Sequence, residues 1–241
     1  MKNVFLVVEQ NIQLTHDFYK LVLRGDCAGN MAGMFVNIKL DGFSLRRPFG
    51  IADSDDHTIT LLYKVVGGAT KYMTSLMAGA IIDVLTCLGN GFDLNQGRKP
   101  LLIGGGTGIA PLYKLAKQLN EKKPDIILGF RSARDVCLTD EFSQFGKLHI
   151  TTDDGSLGIK GTVVSYLISK KLDYDYYYAC GPIVMLQALT KLTQNGEVSL
   201  EARFGCGFGA CMGCSIKTVT GYKRVCKEGP VFSAGEVIFS E

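Results

Sequence analysis

Four of the eight cysteines in this chain of 241 residues are crowded into one short segment near its C-terminus. Their spacing is Cys206-x4-Cys211-x2-Cys214-x11-Cys226, in a stretch that is rich in glycine and has no long periodic pattern. Thiolates this close together are typical of metal ligands, whereas a disulfide scaffold spreads its cysteines over a short, loop-rich chain. The segment is therefore predicted to fold around a metal centre, with little hydrophobic core of its own.

The spacing of these cysteines favours a [2Fe–2S] cluster, because a C-x4-C-x2-C run followed by a later fourth cysteine is typical of such centres. Two irons and two sulfides need a backbone that wraps tightly around them. Glycines permit this because they tolerate positive φ, and their N–H groups can donate to sulfur and raise the potential. The glycines in question are Gly205, Gly207, Gly209 and Gly213. A structural zinc site remains the alternative, although zinc sites usually show two C-x2-C-like pairs.

Residues 1–95 are predicted to form a β-barrel, because short strands follow one another with turn signals between them. The predicted strands are Val4–Val8, Phe18–Leu23, Met34–Leu40, Thr58–Val66 and Ile81–Leu85. Residues Thr70–Met77 are predicted to form the one helix of this half.

Residues 96–198 alternate between buried strands and helices, which predicts βαβ units and a parallel sheet with helices on both faces. The predicted strands are Pro100–Ile103, Asp125–Phe130, Leu148–Thr152 and Tyr174–Ala179, and the predicted helices are Ala110–Asn120, Gly161–Lys170 and Ile183–Asn195. Residues 199–241 would then form a small third domain around the cysteines.

Two turns in the second half are candidates for nucleotide binding. Gly104–Gly108 follows a buried strand and precedes a helix, so its N–H groups and the helix dipole can meet a pyrophosphate. It does not match G-x-G-x-x-G, since Ile109 replaces the third glycine. Cys180-Gly181-Pro182 joins another strand to a helix and is expected at the carboxyl edge of the sheet, where ligands bind. A purely structural turn remains an alternative for both.

In the barrel half, the run Arg46-Arg47-Pro48-Phe49-Gly50 suggests a flavin site. Arginines can bind phosphates, and aromatic side chains can stack on the ring. The same run also fits a solvated strand end.

The combination of these motifs resembles the ferredoxin-reductase superfamily. The stretch from Glu201 to Cys211 (EARFGCGFGAC) and the stretch from Val225 to Phe232 (VCKEGPVF) narrow the resemblance. Over essentially its whole length the chain looks like the family of electron-transfer subunits of NAD-dependent, class 1B dihydroorotate dehydrogenases.

This resemblance implies three parts: a flavin-binding antiparallel barrel, a nucleotide-binding α/β domain and a small cluster domain. FAD binding carries over to Arg47, Pro48, Phe49, Gly50, Leu62, Tyr63, Lys64, Ala69 and Thr70. NAD binding carries over to Gly105, Gly106, Thr107, Gly108, Cys180 and Gly181. Cluster ligation carries over to Cys206, Cys211, Cys214 and Cys226. Gly50 departs from the family, which usually has serine there.

The resemblance also implies a function in pyrimidine biosynthesis. Electrons would pass from the FMN of a separate dihydroorotate dehydrogenase catalytic subunit through [2Fe–2S] and FAD to NAD, in a heterotetramer of two copies of each subunit. Hydride exchange is the cofactors' own chemistry, so no catalytic acid or base is expected. One alternative is a related flavin subunit serving a sulfide, ferredoxin or hydrogenase complex; another is a zinc-stabilised binding module.

Composition and charge exclude other classes of protein. A net charge of +3 is too small and too dispersed to indicate nucleic-acid binding. Val4–Val8 is too short for a signal sequence, and no stretch approaches the length of a membrane helix. We therefore expect a soluble, cytoplasmic protein without a membrane partner.

Overall fold

The computed structural model describes residues 1–239, and the first part of the chain is a β-barrel. Its strands are β1 (Lys2–Gln13), β2 (Phe18–Arg24), β3 (Phe35–Ile38), β4 (Arg47–Ser54), β5 (Thr58–Lys64) and β6 (Ile81–Leu88). In this described part of the chain the six strands close in the order β1-β2-β5-β4-β3-β6, and each neighbouring pair is antiparallel. The predicted barrel is confirmed.

Strand β4 was not predicted from the sequence, although it carries the Arg-Pro-Phe-Gly run. Pro48 cannot donate to a strand ladder and Gly50 weakens a strand, so both residues argue against this assignment locally. Pairing with β3 on one side and β5 on the other overrides these preferences.

Helix α1 (Gly68–Met73) begins and ends earlier than the predicted helix. The hydroxyls of Thr74 and Ser75 donate to the carbonyls of Lys71 and Tyr72, both at 2.8 Å. Such local side-chain bonds compete with continuation of a helix.

The second part of the chain is a sheet with helices on both faces. Its strands are β7 (Pro100–Gly105), β8 (Asp125–Phe130), β9 (Lys147–Thr152), β10 (Ile159–Lys160), β11 (Tyr176–Cys180) and β12 (Gly196–Ser199). Within residues 1–239 the strand order is β10-β9-β8-β7-β11-β12, and each neighbouring pair is parallel. The predicted parallel sheet is confirmed.

The helices of this part are α2 (Ile109–Gln118), α3 (Thr139–Ser143), α4 (Val163–Lys170) and α5 (Ile183–Leu192). Strand β8 shows why they lie on two sides, because successive side chains point to opposite faces. Leu128 packs in the same core as Leu112 of α2, whereas Ile127 packs with Val163 of α4 and Leu186 of α5.

The cysteine-rich segment is interwoven with the other two parts. It contains a hairpin of β13 (Ser215–Thr218) and β14 (Gly221–Arg224), and then β15 (Val231–Ser233). Strand β15 pairs antiparallel with β12 and so extends the nucleotide sheet. The side-chain amide of Asn90, just after the barrel, makes two hydrogen bonds to the backbone of Val231. Its Nδ2 donates to the Val231 carbonyl at 2.8 Å, and its Oδ1 accepts from the Val231 amide at 2.9 Å.

No helix of residues 1–239 is both long and apolar enough to cross a membrane.

Candidate functional site

A cleft of about 900 Å³ lies between the carboxyl ends of the parallel strands and the barrel. The sheet contributes the Gly105–Thr107 loop after β7 and Arg131 after β8. The barrel contributes Phe18, Lys64 and Val66. Because ligands of open α/β sheets bind at this edge, the cleft is the candidate nucleotide site.

The predicted glycine loop and the Cys-Gly-Pro corner lie against each other at the base of this cleft. A Cβ atom on Gly108 would lie 2.2 Å from the carbonyl oxygen of Cys180 and 2.6 Å from the nitrogen of Gly181, so the two turns touch through their backbones. Cys180 is buried, and burial raises the pKa of its thiol to about 12. Cys180 therefore supports the loop as a packed residue and not as a reactive thiol.

Charged groups of the barrel and the nucleotide domain meet at the mouth of the cleft. The Lys64 ammonium lies 3.0 Å from Asp17 on the barrel and 3.9 Å from Asp135 beyond β8. Glu201 also lines the cleft, where solvent reaches part of its side chain. The surrounding protein nevertheless raises the pKa of the Glu201 carboxyl by desolvation, more than its hydrogen bond to Thr107 lowers it.

Successive side chains of β5 point alternately into the barrel and out of it, which decides which of its predicted flavin residues lie on the outer wall. Tyr63 points into the barrel interior, where its hydroxyl donates to Asn11 Oδ1 at 3.0 Å and burial raises its pKa to about 12. Its neighbours point outward: Leu62 packs in the core beside α2, and Lys64 lines the cleft. Only the backbone of Tyr63 is thus left to contact a ligand on the outer wall.

Gly50 of β4 also faces α2, at the position where the family usually has serine. A Cβ atom there would lie 2.9 Å from Cγ of Pro111 in α2. The close approach of α2 to β4 therefore explains the glycine, and it brings the predicted flavin strand next to the helix that follows the glycine loop.

The two adjacent arginines of the barrel differ in what they bind. Arg46 is held by both carboxylate oxygens of Asp83, at 2.9 and 2.8 Å. Arg47 has no carboxylate within 4.0 Å among the described residues; its Nη1 donates to the backbone carbonyls of Leu45 and Arg46, and its guanidinium lies 5.4 Å from the ring centre of Phe43. Arg47 is therefore the arginine available to an anionic ligand.

The other predicted flavin residues serve the same region in different ways. Thr70 uses its hydroxyl within its own turn, accepting from the amides of Val66 and Gly67 at 2.9 and 3.1 Å. It thereby orders the residues that lead from β5 into α1. Ala69 is buried against the barrel, and Pro48 and Phe49 are half-buried on β4.

The four predicted ligand cysteines come together in two pairs. The sulfurs of Cys206 and Cys211 are 3.4 Å apart and half-exposed, whereas Cys214 and Cys226 are buried. The amide of Cys226 donates to the sulfur of Cys214 at 3.4 Å. Burial acts to raise the pKa of the Cys206 thiol, but backbone N–H donors, first among them that of Cys211, outweigh it and lower this pKa to about 6. The outer ligand Cys206 is therefore disposed to ionise, whereas burial, together with the neighbouring Cys214, raises the pKa of the Cys226 thiol to about 12.

The four glycines of this segment differ in backbone conformation. Gly207 and Gly209 have left-handed backbones, with φ of 76° and 91°, as the sequence predicted. Gly205 and Gly213 do not; a Cβ atom at either would lie at ordinary contact distance, 3.6 or 3.7 Å, from the sulfur of Cys211.

The spread of the sulfurs distinguishes between the two metal centres that the sequence left open. In tetrahedral zinc sites, Zn–S bonds of about 2.3 Å bring all sulfurs within about 3.8 Å of one another. No three cysteine sulfurs of residues 1–239 lie within 4.8 Å of one another. This spread fits four thiolates around two irons, so the residues present fit a [2Fe–2S] cluster.

Some residues of the cleft were missed from the sequence. Asp17 lies in a loop and Asp135 at the end of a 3-10 turn, and their meeting at Lys64 depends on the packing of two domains. Glu201 opens the C-terminal motif, and its position two residues after the last parallel strand, β12, was the available signal.

Family comparisons match both halves of this arrangement. The oxidoreductase NAD-binding domain matches residues 102–191. The iron-sulfur cluster binding domain of dihydroorotate dehydrogenase B matches residues 201–238. Fold and site together define an NAD-dependent, iron–sulfur oxidoreductase on the ferredoxin-reductase fold.

Two relatives narrow this class to one family. The chain is 41% identical to the electron transfer subunit of dihydroorotate dehydrogenase B (NAD(+)) of Fusobacterium nucleatum, covering 98% of this chain and 99% of that protein. It is 38% identical to the subunit of the same name from Shouchella clausii, covering 97% of each. The chain belongs to this family of electron transfer subunits, so the predicted family is confirmed.

A solved structure agrees over almost the whole chain. The NADH-dependent reduced ferredoxin-NADP oxidoreductase, described for flavin-based electron bifurcation, aligns with a TM-score of 0.86 and 28% identity. The alignment covers 98% of this chain and 90% of that one. The Amycolatopsis cytochrome P450 reductase GcoB, 20% identical with a TM-score of 0.70 over 79% of this chain and 65% of that one, shares the fold.

Proposed function

We propose that this chain carries electrons from the FMN of a dihydroorotate dehydrogenase catalytic subunit, through [2Fe–2S] and FAD, to NAD. The supporting observation is the order of elements along the barrel wall. Lys64 of β5 lines the nucleotide cleft, Gly50 of β4 contacts α2, and Asn37 of β3 bonds the carbonyl of Cys206. The wall thus runs from the NAD side through the flavin strands to the cluster loop.

Each cofactor is assigned a set of residues. We assign FAD to Arg47, Pro48, Phe49, Gly50, Leu62, Tyr63, Lys64, Ala69 and Thr70. We assign NAD to Gly105, Gly106, Thr107, Gly108, Cys180 and Gly181, and the cluster to Cys206, Cys211, Cys214 and Cys226. When bound, the cofactors supply the hydride and single-electron chemistry. The chain's own residues bind and orient them, and Arg47, which has no carboxylate partner among residues 1–239, is assigned to a flavin phosphate.

The domain boundaries follow the same division: 1–95 for FAD, 96–198 for NAD and 199–241 for the cluster. The third unit lends β15 to the sheet of the second.

The partner is proposed to cover the exposed pair of ligands. Phe208 and Met212 flank Cys206 and Cys211 in the chain, and their side chains are 40% and 62% exposed. Large apolar side chains beside a redox centre fit the centre of a protein interface. We propose a heterotetramer of two copies of each subunit, located in the cytoplasm.

The test is reconstitution of electron flow. The purified chain should contain about two irons and two labile sulfides, as a [2Fe–2S] centre requires. With NADH it should reduce artificial acceptors, but it should not oxidise dihydroorotate. Adding an FMN-containing catalytic subunit should restore NAD-linked oxidation.

Two variants locate the interface. Phe208→Asp should weaken coupling to the catalytic subunit and leave NADH-to-dye activity intact. Ile168→Asp is the matched control, because Ile168 is 60% exposed on α4 of the nucleotide domain. Stoichiometric zinc without sulfide, or turnover of dihydroorotate by the isolated chain, would contradict the proposal. If no such catalytic subunit bound, a ferredoxin-linked role, as in the similar solved structure, would be favoured.

A further inference from the structure

One buried amide joins the barrel to the cluster loop. Asn37 lies on the outer side of β3 and is 1% exposed. Its Nδ2 donates to the carbonyl oxygen of Cys206 at 3.1 Å. Its backbone pairs with Pro48 of β4 on one side and Leu85 of β6 on the other. The residue therefore contacts a cluster ligand directly and neighbours the proposed flavin strand.

The loop is shaped to approach this amide. A Cβ atom on Gly207 would lie 2.3 Å from Nδ2 of Asn37, so the loop reaches the barrel only because position 207 has no side chain. From the other side, Arg46 donates to the backbone carbonyl of Asn37 at 3.3 Å and is itself held by Asp83. Contacts within the barrel, which do not involve the cluster loop, thus hold the backbone of Asn37 in place.

Packing alone does not explain an amide at this position. The Oδ1 atom of Asn37 is buried and makes no hydrogen bond to any of residues 1–239. An unpaired buried polar atom is unfavourable, so an apolar side chain of similar size would suit the barrel wall better. The bond to Cys206 is what the amide contributes.

That bond orients the peptide that follows the first ligand. Carbonyl and N–H of a trans peptide point in opposite directions, so fixing the Cys206 carbonyl on the barrel turns the Gly207 N–H away from it. The N–H group of Cys211 donates to the Cys206 sulfur at 3.4 Å. Hydrogen bonds to cluster sulfurs set the reduction potential, and groups behind a ligand orient it.

We propose that Asn37 is a positioning residue that sets the reduction potential of the [2Fe–2S] cluster and the rate at which it exchanges electrons with FAD. This inference rests on the proposed function and names a residue that works through Cys206. Asn37 contacts neither the nucleotide cleft nor the predicted NAD residues, so hydride transfer from NADH should not depend on it.

The test compares the same substitution on the two strands that flank β6. Asn37→Leu removes the bond to Cys206 and keeps the size of the side chain. Asn3→Leu is the control, because Asn3 on β1 also pairs with Leu85 of β6 but is exposed. Iron, labile sulfide and FAD are quantified first, and the cluster is then followed by EPR during a redox titration. Stopped-flow absorbance measures flavin reduction by NADH and the later reduction of the cluster.

We expect Asn37→Leu to keep FAD and wild-type flavin reduction, while the one-electron equilibrium of the cluster becomes about tenfold less favourable. This corresponds to a potential lower by about 59 mV. Cluster reduction should slow by a similar factor and the EPR g-values should change. Asn3→Leu should match the wild type in every measurement.

Other outcomes are also decisive. An unchanged potential, EPR spectrum and cluster reduction rate in Asn37→Leu would overturn the inference. So would joint loss of FAD and cluster with a lower melting temperature, which would indicate a purely structural role. If Asn37→Leu loses the cluster but keeps FAD, Asn37→Ala, which also has no donor for the Cys206 carbonyl, replaces it, and a wild-type potential in that variant overturns the inference. Absence of labile sulfide from the wild type would instead refute the proposed function.

Discussion

The closest contact at the base of the cleft gives the sharpest prediction. Gly108 has φ of −65° and ψ of −8°, a conformation open to any residue, so Gly108→Ala introduces no backbone strain. Its added methyl group would lie 2.2 Å from the Cys180 carbonyl oxygen, against at least 3.4 Å in an ordinary contact. The glycine loop and the Cys-Gly-Pro corner must therefore separate by about 1.2 Å, the difference between these two distances.

Two effects of known size should follow. Overpacking of this kind costs about 1–3 kcal/mol in the free energy of unfolding. A displacement of about 1 Å in a positioning element can cost up to about 100-fold in rate. We expect Gly108→Ala to unfold at lower denaturant concentration and to slow flavin reduction by saturating NADH by about 10- to 100-fold.

The assays are denaturant unfolding and stopped-flow bleaching of the flavin. Gly67→Ala is the control, because its backbone is extended and its added methyl group would meet no atom within 4 Å. It should retain stability and rate. Wild-type stability and hydride transfer in Gly108→Ala would refute the argument that contact between these two turns builds the nucleotide site.

Three further predictions concern single side chains. Arg47→Ala should weaken FAD binding by about 10- to 100-fold, the loss of one charge-assisted hydrogen bond, and full flavin occupancy after gel filtration would contradict this. NADH should be preferred over NADPH in steady-state kinetics. A preference for NADPH that disappears in Arg131→Ala would contradict this and would show that Arg131, which lines the cleft, binds a 2′-phosphate. Lys114→Met should lower the free energy of unfolding by about 2–3 kcal/mol, because Nζ donates to the carbonyls of Asn30 and Ser54 at 3.0 and 2.8 Å in a buried site. Burial also lowers the pKa of Lys114 from 10.5, so at a pH just below 10.5 the unfolded chain binds more protons than the folded chain. The free energy of unfolding of the wild type should therefore rise with pH in this range. The same rise in the Lys114→Met variant would contradict the assignment.

Local patterns were sufficient for the parts of the fold that depend on neighbours in the chain. Both ends of strand β8 were predicted correctly, because a short apolar run bounded by polar residues is typical of a buried strand. The cysteine spacing indicated the metal centre, since ligands of a compact cluster must be close in sequence as well as in space.

Other features depend on contacts between distant segments and could not be seen in the sequence. Strand β4 contains Pro48 and Gly50, which disfavour a strand until two neighbours pair with it. The links from Lys114 to Ser54 and from Asn37 to Cys206 span 60 and 169 positions of the chain. Nothing near Asn37 in the sequence indicates that its amide reaches a cluster ligand.

The pairing of β15 with β12 has a consequence for how the metal centre matures. The amide of Leu200 donates to the carbonyl of Pro230 at 2.9 Å, so the segment that carries all four ligands is a loop whose ends are already joined. Bringing together the ends of a flexible loop of about thirty residues costs about 3 kcal/mol in conformational entropy. Pairing of β15 with β12 in the folded sheet closes this loop without a bound metal. The thiols are thereby held at a high effective concentration toward one another. We therefore expect iron and sulfide to be inserted into a chain that is already folded, and a chelator that removes them should leave the NAD-binding sheet folded.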